Sequence, residues 1–177
     1  MLRKILTYGT VAGLLVGIPL SAITVTMHGH SQQYGMLIGY TTMLIALSTV
    51  FVAIKRHRDV ELGGVIGFWQ ALRLGLGISV VAGIFYVAAW EITVAATGLD
   101  FASTYAAAVI AEKKAAGVSG AALAKVVADM DAFKVQYANP LYRWPMTFAE
   151  IFPVGVLVSL VSAGLLRNSR FLPLRRA

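Results

Sequence analysis

Residues 72–96 read LRLGLGISVVAGIFYVAAWEITVAA, an apolar run with one cation near its start, Arg73, and one carboxylate near its end, Glu91. A helix needs about 20 mostly apolar residues to cross the hydrocarbon core of a bilayer, so this stretch is read as a membrane span. Three further stretches read the same way. They run from about Ile5 to Val25 after Arg3 and Lys4, from about Tyr34 to Ile54 before Lys55-Arg56-His57-Arg58, and from about Phe148 to Leu166 before Arg167. The first is longer than a signal-peptide h-region and has no convincing small-x-small cleavage site behind it, so it is taken as a retained helix. The predicted fold is all-α: a polytopic membrane protein whose four-helix transmembrane bundle makes one membrane domain over residues 1–177.

Composition agrees. The mean hydropathy is +0.76 and 13% of residues are charged, against about 25% in soluble domains. The formal charge of +7 does not imply nucleic acid, because the basic residues gather at the ends of apolar segments, where they set topology. The absence of cysteine excludes disulfides, Cys-ligated zinc and thiol chemistry, and no cofactor is expected.

Orientation follows from the flanks. Arg3, Lys4, Lys55, Arg56, Arg58, Arg73, Arg167, Arg170, Arg175 and Arg176 fall on one side, and Lys113, Lys114, Lys125, Lys134 and Arg143 on the other. Positive charge marks the cytoplasmic face, so both termini are predicted inside a bacterial inner membrane, with the turn 26–33 and the loop 97–146 outside. That loop is predicted to be a helical hairpin over about 100–138. Its first helix covers about Phe101 to Ala116, with Gly117 as C-cap, and Ser119 is the N-cap of a second helix to about Ala138. Leu123, Val126, Val127, Met130, Phe133 and Tyr137 recur at three- and four-residue steps in the second helix, an apolar stripe that Phe101, Tyr105 and Val109 can face. Self-packing of the hairpin explains the stripe, and a groove for an envelope protein partner is the alternative. Asn139-Pro140 through Pro145 reads as a rigid aromatic connector into the fourth span. On the inner side, 62–72 reads as an interfacial helix or an early start of the third span, anchored by Trp69.

Each span carries small residues four apart: Gly9, Gly13 and Gly17; Gly35 and Gly39; Gly75, Ser79 and Gly83; Gly155, Ser159 and Ala163. Such stripes let helix backbones approach closely in lipid. Packing within the bundle accounts for them, and a homo-oligomer built on a spare stripe is the other use.

The residues with chemistry are few. Glu91 and Glu150 stand in or at the mouth of spans, 18 residues after Arg73 and 17 before Arg167, so antiparallel helices would place both carboxylates in the outer leaflet. A charge there is costly and calls for a partner. Three readings stay open: an ion pair with Arg143 that caps the bundle, two separate interfacial glutamates, or a site for a ligand, ion or proton. His28 and His30, in the outward turn, are metal candidates by ligand type, but they and the glutamates come from three segments with no ligand spacing. Lys55, Arg56 and Arg58 are candidates for anionic lipid headgroups, with a plain topology signal as the other explanation. No nucleophile–base set, P-loop, dinucleotide fingerprint or HExxH pattern is present.

Several segments together resemble one bacterial membrane family. They are Gly39-Tyr40 leading through an apolar span to Lys55-Arg56-His57-Arg58-Asp59, then Leu62-Gly63-Gly64-Val65-Ile66-Gly67-Phe68, and Tyr86 through Trp90-Glu91-Ile92. Asn139-Pro140-Leu141 and Met146-Thr147-Phe148-Ala149-Glu150-Ile151-Phe152-Pro153-Val154-Gly155 complete the set. The chain is similar, over nearly its whole length, to the family called domain of unknown function 4199, and the last motif is the most specific. The resemblance implies a four-helix bacterial inner-membrane protein with an outward helical insertion; His28 and His30 lie outside its pattern. It supplies no activity. The expected function is a non-enzymatic envelope accessory or partner-binding protein. The alternatives are a small transporter or ion/proton-coupled component using Glu91 and Glu150, and a membrane enzyme acting on a lipid-linked substrate at the outer leaflet.

Overall fold

The computed structural model describes residues 1–26 and 32–173, and every regular element among them is an α-helix. They are α1 (Leu2–Thr26), α2 (Gln32–Glu61), α3 (Phe68–Thr97), α4 (Phe101–Ala115), α5 (Gly120–Tyr137) and α6 (Pro140–Leu166). The four helices α1, α2, α3 and α6 are long and apolar enough to cross a membrane. The chain packs as two compact units, one from Met1–Trp90 with the segment from Phe148 onward, the other Glu91–Thr147.

Two boundaries depart from the sequence expectation, and a third, the start of α3, follows one of its two alternatives. The helix expected to end near Ile54 runs on to Glu61, because Lys55 and Arg58 turn to Asp59 and Lys4 to Glu61 instead of ending the helix in solvent. Gly63 and Gly64, with φ of 62° and 95°, then close α2, the Gly64 N–H donating to the Arg58 carbonyl at 2.9 Å. This is the left-handed helix ending that glycine allows at little cost. The third span starts early, at Phe68. The supposed connector is helix from Pro140 onward: Asn139 caps α6 through its side-chain oxygen, which accepts from the Leu141 N–H at 3.0 Å. Pro140 takes the first helical position, where its missing N–H is not needed.

In the first unit, contacts set the directions. Lys4 near the start of α1 donates to His57 Nδ1 at 2.7 Å and pairs with Glu61, both near the end of α2. Gly9, Gly13 and Gly17 lie against Val81, Phe85 and Ala89, so α1 and α3 run the same way. Gly75 meets Ser159 and Ser79 meets Gly155, so α3 and α6 are antiparallel. The start of α1, end of α2, start of α3 and end of α6 therefore share one end of this unit. Its core holds Val16, Leu47, Val50, Ile54, Leu74, Ile78 and Ile151, all nearly or wholly buried. The glycine stripes of α1, α3 and α6 are occupied within the unit, whereas a Cβ at Gly39 would meet nothing within 4 Å.

In the second unit, α4 and α5 meet through rings. Phe101 stacks on Tyr105 and packs on Tyr137, and Tyr105 on Phe133, with centroids 5.4–5.8 Å apart. Gly117, at φ 83°, and Ser119, with extended backbone and no side-chain cap bond, lie between the two helices. Asp100 caps α4, its Oδ1 accepting from the Ser103 N–H at 3.0 Å. Hydrogen bonding from Ser103, its side chain first and its backbone N–H second, holds the Asp100 carboxyl below its usual range. A depressed folded pKa contributes stability that is complete above the unfolded value and lost as pH falls through the folded one. The protection of the Ser103 and Thr104 amides from exchange, measured against the unstructured chain at the same pH, is thus expected to fall below about pH 4. Asp100→Asn, which keeps a capping oxygen but does not titrate, should abolish that pH dependence.

Candidate functional site

Glu91 lies six residues before the end of α3, and Arg143 stands in the first turn of α6, its N–H bonded to the Asn139 carbonyl at 3.0 Å. Both belong to the second unit. Arg143 Nε donates to Glu91 Oε1 and Nη2 to Oε2, each at 2.6 Å, so the guanidinium fork meets both carboxylate oxygens. The remaining terminal nitrogen, Nη1, donates to the Tyr137 carbonyl at 3.2 Å. The guanidinium carbon also sits 5.6 Å from the Tyr137 ring centre. The two side chains are only 27% and 13% exposed. Charge-assisted bidentate bonds are the strong class, and partial burial removes competing water. The arrangement binds the end of one helix to the start of another through a carboxylate whose two oxygens are both engaged.

Glu150 belongs to the first unit. Tyr86, buried at 4% exposure, donates its phenol to Glu150 Oε2 at 3.1 Å, while the Glu150 residue as a whole is exposed on the surface of α6. Three residues on, Pro153 lies inside α6 and has no N–H to give the Ala149 carbonyl. Of the two partners open to Arg143 in the sequence, the structure chooses Glu91, 52 residues away, over Glu150, seven away. Glu150 takes a tyrosine that sequence reasoning did not single out: nothing in the local spacing links positions 64 residues apart.

At the shared end of the first unit the basic cluster divides. Lys55 donates to Asp59 Oδ2 at 2.5 Å. Arg58 is fully buried; its Nε donates to Asp59 Oδ1 at 2.7 Å. Its terminal nitrogens reach the carbonyls of Phe171 at 2.9 Å and Leu172 at 2.6 Å, and Nη1 lies 3.5 Å from that of Leu166. Arg58 is therefore withdrawn from the set offered to headgroups, because every direction its fork points is filled by protein oxygen. Arg56 is exposed and Lys55 half-buried. The Lys55–Asp59 pair had a signal, the i,i+4 spacing of opposite charges; the long-range bonds of Arg58 had none. His57 is buried and stands 3.2 Å from Glu61.

His28 and His30 lie outside the described residues. Among the described ones no three His, Asp or Glu side chains gather as metal ligands would.

No curated protein and no solved structure matches the chain. A family model does, over residues 7–168, a range that takes in most of α1, all of α2 to α6, and both glutamates with their partners Tyr86 and Arg143. The chain belongs to that family, described as "Protein of unknown function (DUF4199)".

Proposed function

We propose that this chain is a non-enzymatic accessory protein of the bacterial inner membrane, with four spans and both termini cytoplasmic. In this reading α4 and α5 form an extracytoplasmic hairpin that engages an envelope partner. The Glu91–Arg143 fork carries the proposal. Each oxygen of that carboxylate accepts a guanidinium N–H, which suits a clasp beneath presented helices better than a group that must gain and lose protons or ions. The hairpin's outer side chains support it, since Lys125, Asp129 and Val135 are exposed, Val135 at 77%.

A second reading, a small ion- or proton-coupled component, rests on Glu150. Its hydrogen bond comes from a neutral phenol, so this carboxylate, unlike Glu91, has no cation beside it among the described residues.

One complementation experiment separates the two. A deletion strain with an envelope-stress growth defect is complemented with Lys125→Glu/Val135→Asp, Glu91→Gln or Glu150→Gln, each checked for membrane abundance. The accessory reading expects the hairpin variant to lose complementation while both glutamine variants retain most of it. A silent hairpin variant, with Glu150→Gln inactive in a pH-dependent way, would overturn it in favour of coupling. Because the chain has no cysteine, single cysteines at Val118 and Asn168 test the topology directly. The first should label from outside intact spheroplasts, and the second should not.

A further inference from the structure

The shared end of the first unit carries a sorted set of cations. Its two lysines are both held by carboxylates, Lys4 by Glu61 and Lys55 by Asp59, and Arg58 is buried. Among the described residues the side-chain cations left exposed at this end are all arginines: Arg3 in α1, Arg56 in α2, Arg73 in α3, and Arg167 and Arg170 just beyond α6. Among the described residues none of these five guanidiniums has a hydrogen-bonded or ionic partner. Each of the four long helices thus contributes at least one at the same end. The registers agree in depth: the Ile54 Cδ1 lies 3.2 Å from the Cβ position of Gly75, which brings Arg56 and Arg73 to one level of an antiparallel pair. The unit's carboxylates are Asp59 and Glu61, both taken, and Glu150, which lies toward the other end beside Tyr86.

We propose that this end is a binding surface for acidic phospholipid headgroups. A topology signal needs only positive charge, and lysine would serve as well. Exposed guanidiniums with no acceptor among the described residues, set at the ends of four apolar helices, offer planar forks that match phosphate oxygens in pairs. Their apolar stems allow those at Arg56 and Arg73 to reach the headgroup layer from slightly deeper positions. Trp69, 68% exposed and four residues before Arg73, adds an aromatic anchor at the same level. The inference rests on the four helices being membrane-embedded, which resistance of the protein to carbonate extraction from membranes tests separately.

The test is lipid retention by the purified full-length protein, measured by native mass spectrometry from detergent with equal phosphatidylglycerol and phosphatidylcholine. Phosphatidylglycerol is expected to bind more tightly by about fivefold per engaged arginine, and 0.5 M salt, a concentration of order ten times the low-salt condition, should erase most of the preference. Arg56→Gln/Arg73→Gln/Arg167→Gln/Arg170→Gln is expected to bring the two lipids to parity, while Lys113→Gln/Lys114→Gln in α4 keeps the preference. Equal retention of both lipids by the unaltered protein overturns the proposal and needs no variant. So does a quadruple variant, folded by circular dichroism, that still prefers the acidic lipid, or displacement of the lipid by inorganic phosphate at equal concentration.

Discussion

Arg58→Met is expected to lower the unfolding free energy by about 3–5 kcal/mol, the cost of breaking a buried charge pair from one side. The guanidinium has zero exposure and bonds to a carboxylate on its own helix and to the carbonyls of Phe171 and Leu172, more than a hundred residues on. Methionine fills much of the volume but offers no donor. The two carbonyls lose their partner, and Asp59, itself 9% exposed, keeps only Lys55. The segment after α6 then loses its hydrogen bonds to the end of α2 and keeps only the packing of Phe171 on the core. Thermal unfolding in detergent, followed by circular dichroism, should show a midpoint lower by about 6 °C or more, and trypsin should cut faster after Arg167 and Arg170. Arg56→Gln, two positions away but exposed, should stay within about 0.5 kcal/mol of the unaltered protein. Removing both charges, as Arg58→Met/Asp59→Leu, should recover part of the loss, since an apolar pair can replace a buried ionic one. An Arg58→Met midpoint no lower than that of Arg56→Gln would show that the guanidinium staples nothing.

The same residue marks where sequence reasoning stopped. Four long apolar helices were legible, because hydropathy over some 20 residues is a property of the chain itself. So were the two shorter helices, their glycine and serine boundaries, and the ring residues with which they meet. What Lys55-Arg56-His57-Arg58 does was not legible. A run of four basic residues looks like a solvated helix end, yet α2 continues through it, and only a partner from the far end of the chain shows that Arg58 points inward. The start of α6 was misplaced for a related reason. Prolines at 140 and 145 suggest a connector, but one of them begins the helix and the other falls early in it, where few backbone bonds are forgone. Arg143 could be named from sequence as a partner for a glutamate, but not for which one. Seven residues from Glu150 is two helical turns along one helix, whereas the Glu91 pairing is a tertiary contact between the end of α3 and the start of α6 within the second unit. Glu91 and Glu150 look alike in sequence and differ in kind: one is locked by a guanidinium fork, the other rests on a phenol at a helix surface. That contrast is why the functional experiment treats them as separate variants.

Gly155→Ala tests the close crossing of α3 and α6 and should cost stability even though alanine favours helix by about 0.5–1 kcal/mol. A Cβ at Gly155 would lie 2.7 Å from both Cβ and Oγ of Ser79, closer than carbon atoms tolerate, and overpacking of this kind costs about 1–3 kcal/mol. The steric term should win. At Gly39, where nothing lies within 4 Å, the same substitution has no steric term, so Gly39→Ala should be neutral or slightly stabilising. The contact also predicts its own cure. With Ser79→Gly the next atom to meet is the Ser79 Cα, 3.7 Å away, an ordinary contact. Ser79→Gly alone loses the Oγ hydrogen bonds to the Gly75 carbonyl at 3.0 Å and to Ser159 at 3.3 Å, so the double variant will not match the unaltered protein. It should nevertheless be more stable than the sum of the two single effects by at least about 0.5 kcal/mol, a coupling that contacting residues show and distant ones do not. Thermal unfolding of all four proteins in one detergent measures it. Additive effects would mean that α3 and α6 relax apart at little cost and that the small residues at 75, 79, 155 and 159 are not what holds them together.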